Sequence, residues 1–182
     1  MQLAIDAALQ HAGHTAPNPP VGATLVTSEG RAVTSAHIRA GGPHAEVSVL
    51  QRAVELGLDT INASLYITLE PCNTSGRTPP CVDFLRDKGL SEIVVCTRDP
   101  TQASSEAALR ESAASVTYLP ERSSSGRLCR EIIAPFAKLK QSGRPLVDLV
   151  HAATFDLRGD LAAAIAGLRP WKTPDAVAVS HR

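Results

Sequence analysis

Short strand-like apolar runs alternate with helix-like segments along most of this chain, and that alternation limits the architectures open to it. Val21 to Thr27 and Arg31 to Ile38 read as two strands joined by the turn Ser28-Glu29-Gly30. Ser64 to Leu69, Glu92 to Thr97 and Val116 to Leu119 read as further strands. Ile5, Ala8, Leu9 and Ala12 recur at helical spacing, with Gly13 as a stop signal. Further helices are predicted from about His44 to Leu56, from Cys81, over Ala103 to Ala113, and over Gly126 to Lys140. A hairpin followed by strand–helix alternation predicts an α/β layered sheet, partly parallel, with helices on both faces. Prolines mark two loops, Thr15 to Pro20 and Pro71 to Pro80, because proline can neither continue a helix nor donate to a ladder. Pro145 to Val150 is one further candidate strand, and the end from Arg169 is expected to be irregular.

Charge and cysteine usage narrow the function classes. Lys+Arg and Asp+Glu both number 18, so no basic excess exists to neutralise a nucleic-acid backbone. Six residues are Phe, Trp or Tyr, too few for a base-stacking platform. Nucleic acid is therefore not an expected partner. No run approaches the roughly 20 apolar residues that cross a bilayer, and Met1 to Asp6 lacks the form of a secretory signal. A cytoplasmic protein with no membrane partner is expected. Cys72, Cys81, Cys96 and Cys129 are too few for a disulfide scaffold; in a reducing compartment they read as metal ligands or small buried residues.

Three segments carry the chemistry. His44-Ala45-Glu46 stands where a helix begins, and Pro71-Cys72 and Pro80-Cys81 bracket the loop before another. One imidazole and two thiolates make three ligands for Zn²⁺ and leave a fourth tetrahedral position for water, as a catalytic site requires. A structural site would need a fourth ligand, and none is obvious. Helix N-termini favour thiolate over thiol through their exposed N–H groups. Two thiolates cancel the formal charge of the metal, so a carboxylate beside the water must help move its proton; Glu46 fits that role. On a regular helix Glu46 would lie about 200° round from His44. The two can therefore share a site only if His44 lies at the mouth of the helix. Cys96, in a strand, and Cys129, in a helix, read as ordinary buried residues.

A His-x-Glu followed by Pro-Cys and a second Cys is the signature of zinc deaminases, although eight residues rather than two separate Cys72 from Cys81. With that long spacing, the chain resembles the deaminase domain of the riboflavin-biosynthesis deaminase–reductase family. The marks are Pro17-Asn18-Pro19-Pro20-Val21-Gly22-Ala23, Ala36-His37, Gly42-Pro43-His44-Ala45-Glu46, Thr68-Leu69-Glu70-Pro71-Cys72, Gly76-Arg77-Thr78-Pro79-Pro80-Cys81 and Arg98-Asp99-Pro100. The resemblance implies a cytidine deaminase-like three-layer α/β/α sandwich with a mixed central sheet, over a deaminase domain spanning 1–145. It implies hydrolytic removal of an exocyclic amine from 2,5-diamino-6-ribosylamino-4(3H)-pyrimidinone 5′-phosphate, and a homo-oligomeric state. By position, His44, Cys72 and Cys81 would bind zinc and Glu46 would shuttle protons. Asn18, His37 and Ala45 would contact the substrate, and Arg77 would line the pocket near the phosphate, where a guanidinium suits phosphate oxygens. An ordinary solvated loop charge is the other reading of Arg77.

Three departures from the family pattern stand out. Thr74 replaces a usual histidine, and Thr101 to Glu106 replaces a usual Asn-Pro and glycine turn. Residues 146–182 read as a C-terminal extension, a remnant of a reductase junction. The 38 residues from Pro145 to Arg182 are too few for a nucleotide-binding domain, so no NADPH chemistry is expected. The expected activity is deamination of a small amino-heterocycle, the riboflavin precursor first. Another amino-heterocycle, or a catalytically silent zinc-stabilised partner protein, are the alternatives.

Overall fold

The computed structural model describes residues 1–75 and 79–145. Arg77, the candidate strand over 145–150 beyond its first residue, and the extension 146–182 lie outside the described residues. The elements run α1 (Gln2–Gln10), β1 (Gly22–Val26), β2 (Ala32–Ala36), α2 (Ala45–Glu55), β3 (Ser64–Ile67), α3 (Cys81–Leu85), β4 (Leu90–Val95), α4 (Glu106–Arg110), β5 (Ala113–Tyr118) and α5 (Ser124–Ser142). Five strands form one sheet in the order β2-β1-β3-β4-β5. β1 runs antiparallel to both β2 and β3, whereas β3, β4 and β5 are mutually parallel. The mixed sheet follows from the connections: a tight turn can only return antiparallel, and a helical crossover lets the next strand run parallel. At the turn, Gly30 takes φ +81° and the Thr27 hydroxyl accepts the Arg31 N–H at 3.2 Å.

Side chains alternate across a strand, so β1 shows how the layers divide. Ala23 and Leu25 are fully buried in a core shared with Ala45, Val49 and Ala53 of α2. Gly22 faces the other way, against α1: a Cβ built there would lie 1.9 Å from the Ala4 carbonyl oxygen. Helix α1 also packs on α5, with Ile5, Cys129 and Ile132 closing a second core around Cys96. On the α2 side, α2 packs on α3 and α3 on α4. The expected three-layer sandwich is what forms, and Cys96 and Cys129 are buried as expected. Among the described residues no helix is long and apolar enough to cross a membrane.

Two neighbouring elements differ from expectation. The helix predicted over Ala103 to Ala113 is confined to Glu106–Arg110, and β5 begins early at Ala113, paired with Leu90. The cause is Glu70, just beyond β3 and only 3% exposed. Its Oε1 accepts the Ser104 hydroxyl at 2.8 Å, the Ser105 N–H at 2.9 Å, the Ser105 hydroxyl at 3.2 Å and the Tyr118 hydroxyl at 2.8 Å. Its Oε2 accepts the Asp99 N–H at 3.2 Å. These bonds hold Ser104 and Ser105 on the carboxylate, and the helix starts only after them, with the Ser105 carbonyl accepting the Leu109 N–H at 2.9 Å.

Two substitutions test these packing constraints. Gly22→Ala forces a methyl into the α1 backbone and is expected to cost about 3 kcal/mol or more, read as a lowered urea midpoint at constant m-value. Glu70→Gln replaces one acceptor oxygen by a donor among donors. The expected cost is about 2–4 kcal/mol by the same measurement, because buried N–H and O–H groups lose their acceptor.

Candidate metal centre and cavity

His44 is the residue before α2, with extended backbone (φ −70°, ψ 162°), and Ala45 opens the helix. Its imidazole therefore hangs at the helix mouth while Glu46 occupies the first turn. This resolves the 200° problem posed by regular helical spacing. Cys72 follows the end of β3, where the parallel strands finish; Cys81 is the first residue of α3, its N–H donating to Cys72 Sγ at 3.3 Å. In open α/β sheets ligands gather outside the carboxyl ends of the strands, and the side chains converge there.

The ligand atoms of His44, Cys72 and Cys81 all lie within 4.8 Å of one another, and no other such group of His, Cys, Asp or Glu occurs among the described residues. His44 Nδ1 is 3.1 Å from Cys81 Sγ and 3.7 Å from Cys72 Sγ. Tetrahedral zinc with bonds of ~2.1 Å to nitrogen and ~2.3 Å to sulfur would hold such atoms about 3.6 Å apart. The trio fits zinc in both donor chemistry and spacing. The trio shares its protons unevenly: the hydrogen bond from Cys81 holds the Cys72 thiol down to about 4, and that same hydrogen bond, together with burial, pushes Cys81 up. The hydrogen bond with Cys72 likewise raises His44.

Glu46 is 3% exposed, beside Cys81 and its own N–H, and burial pushes its carboxyl up to about 7. Asn18 is presented by a turn in which its N–H donates to the Thr15 carbonyl at 2.8 Å and its own carbonyl accepts the buried Thr15 hydroxyl at 2.9 Å. Its Nδ2 lies 3.1 Å from His37 Nε2, and His37 Nδ1 lies 2.9 Å from the Pro43 carbonyl oxygen. A carbonyl only accepts, so Nδ1 carries the ring hydrogen and Nε2 accepts from the amide. Burial lowers His37 from its ordinary value and so favours this neutral ring. The rings of His37 and His44 meet edge-on with centroids 5.4 Å apart.

These residues open onto a cavity of about 440 Å³. Asn18, His37, His44, Ala45, Glu46 and Cys72 all line it, so six of the eight sequence-selected residues share one space. Cys81 stands behind Cys72 at the metal trio, and Arg77 lies outside the described residues. Sequence reasoning did not select Thr74, Thr101 or Gln102 as site residues, nor Phe136 and Lys140 of α5, yet they complete the lining. Thr74, Thr101 and Gln102 were visible as departures from a pattern. Nothing local in the sequence marks Phe136 or Lys140, because the packing of α5 alone brings them in.

The sequence profile described as the cytidine and deoxycytidylate deaminase zinc-binding region matches residues 1–97. A riboflavin biosynthesis protein RibD of Aquifex aeolicus is 48% identical over 101 residues, 55% of this chain and 27% of that protein. The RibD of Mycobacterium tuberculosis is 35% identical over 188 residues, covering 100% of this chain and 52% of the relative. The chain thus spans about half the length, or less, of these curated relatives. Among solved structures, a diaminohydroxyphosphoribosylaminopyrimidine deaminase/5-amino-6-(5-phosphoribosylamino)uracil reductase of Thermotoga maritima superposes with a TM-score of 0.73 and 30% identity. That match covers 91% of this chain and 51% of the other. With riboflavin-biosynthesis proteins among its relatives over its whole length, the chain belongs to the family of the cytidine and deoxycytidylate deaminase zinc-binding region.

Proposed function

We propose that the chain is a zinc-dependent hydrolytic deaminase of a small amino-pyrimidine, with 2,5-diamino-6-ribosylamino-4(3H)-pyrimidinone 5′-phosphate as its substrate. The observation that carries the reading is a buried carboxylate, Glu46, set beside a zinc-compatible trio at the wall of a ligand-sized cavity. The likeness to riboflavin-biosynthesis proteins supports the choice of substrate.

In this reading His44, Cys72 and Cys81 hold the metal. When bound, zinc would supply a Lewis acid that makes water acidic enough to react near neutral pH. Water adds to the ring carbon that bears the exocyclic amine, the C–N bond breaks, and ammonia leaves while a ring carbonyl forms. Glu46 takes a proton from the water for the ring nitrogen beside that carbon, then carries the remaining hydroxyl proton to the departing amine. Asn18, anchored to the neutral His37, offers its side chain to a polar edge of the ring or its sugar. Ala45, with no polar side chain and at the start of α2, leaves room for the ring against the cavity wall. Arg77 is assigned to the phosphate by its place in the sequence alone. A cytoplasmic setting goes with this chemistry, since a reducing compartment keeps both cysteines available to metal.

A second reading is favoured by one feature. Thr74, Thr101 and Gln102 face the cavity in segments where the sequence departs from the family pattern, which would suit another amino-heterocycle.

The test is ammonia release by the zinc-loaded protein from the phosphorylated precursor. Glu46→Gln is expected to lower turnover by roughly 10²–10⁴-fold while zinc content stays near one per chain. Removal of zinc by a chelator should abolish turnover, and added zinc should restore it. Turnover of an unphosphorylated amino-heterocycle in place of the precursor would select the second reading. Turnover unchanged by Glu46→Gln would sink both.

A further inference from the structure

The loop after β4 carries a side chain that the proposed chemistry does not use. Gln102 is half-buried, and both ends of its amide are engaged with the backbone around Cys72. Its Oε1 accepts the Asn73 N–H at 3.2 Å, and its Nε2 donates to the Pro71 carbonyl at 3.2 Å. Pro71 and Asn73 are the residues immediately before and after Cys72. A primary amide presents donor and acceptor on one planar group, so it can close on a stretch of backbone as a neighbouring strand would.

We propose that Gln102 is a positioning residue that sets Cys72 for metal binding. Cys72 sits in a loop that has left β3 and gains no ladder partner of its own. On the opposite side the loop has two contacts with α3, where the Val82 N–H reaches the Cys72 carbonyl at 3.3 Å and the Cys81 N–H reaches Cys72 Sγ. Gln102 supplies the other side of the clamp, and Asn73 strengthens it by donating its Nδ2 to the Ala103 carbonyl at 2.9 Å. The clamp is itself anchored. Glu70 holds Asp99 and Ser104 on either side of Gln102, and Gln141 of α5 donates to the Pro100 carbonyl at 3.2 Å. Groups that orient a metal ligand commonly change affinity or activity by ten- to hundredfold when removed. The inference rests on the zinc assignment to Cys72 and not on the identity of the substrate.

The experiment compares wild type, Gln102→Met and Gln102→Glu, all zinc-loaded and challenged with excess chelator. Zinc release, the thiolate-to-metal absorption of the cobalt-loaded forms, and melting of the metal-free proteins are followed. Gln102→Met keeps the length and loses both contacts; it is expected to release zinc about ten- to hundredfold faster and to shift the cobalt spectrum, with metal-free melting unchanged. Gln102→Glu keeps an acceptor for Asn73 and loses the donor to Pro71, and should fall between. Release at the wild-type rate in both variants would overturn the proposal. So would a raised KM with unchanged zinc release, which would make Gln102 a substrate contact. A loss of metal-free melting equal to the loss of zinc, or failure of both variants to fold, would assign Gln102 to the fold and also overturn it. Failure of the wild type to bind zinc would instead remove the metal assignment itself.

Discussion

One buried carboxylate joins the parts of this molecule that have to agree for a site to exist. Glu70 leaves the end of β3 and gathers donors from the loop after β4, from the entrance to α4 and from Tyr118 of β5. Arg98 lies over the Tyr118 ring at 3.9 Å and reaches the Glu106 carboxylate at 2.8 Å, so the outer side of that junction is closed as well. A carboxylate removed from water needs several donors to compensate lost hydration, and only a folded loop can bring that many together. The loop in turn supplies the contacts around Cys72. The placement of Cys72, a candidate metal ligand, is thus tied to the loop that satisfies Glu70 at the same strand end.

The helices solve the complementary problem. Their N-termini meet the carboxyl edge of the parallel strands, which brings His44, Glu46 and Cys81 to Cys72 without any long loop reaching into the core. Glu46 is buried by the same arrangement that aims it, so its desolvation and its placement have one cause.

The sequence was informative where the reason for a residue is local. Strand alternation, the glycine before α2 and the prolines before Cys72 and Cys81 announced the layers and the three segments that meet at the candidate metal centre, and the helix-mouth position of His44 followed from needing Glu46 nearby. It was silent where the reason is a partner far along the chain. The helix expected over Ala103 to Ala113 had adequate propensity, but the serines at its start are bound by Glu70, some 35 residues earlier. Glu70 gave a faint signal, a charge closing an apolar strand beside Pro71-Cys72. Phe136 and Lys140 gave none, since their helical pattern describes a packed face and not the rim of a cavity.

The cavity wall is drawn from two stretches of the chain. The residues to which metal and proton chemistry are assigned all fall within the profile-matched stretch 1–97. Asp99, Thr101, Gln102, Phe136 and Lys140, which also line the cavity, all fall beyond it. Gln102 also bonds the backbone on both sides of Cys72, so a change in the later stretch bears on the cavity wall and on the Cys72 loop together.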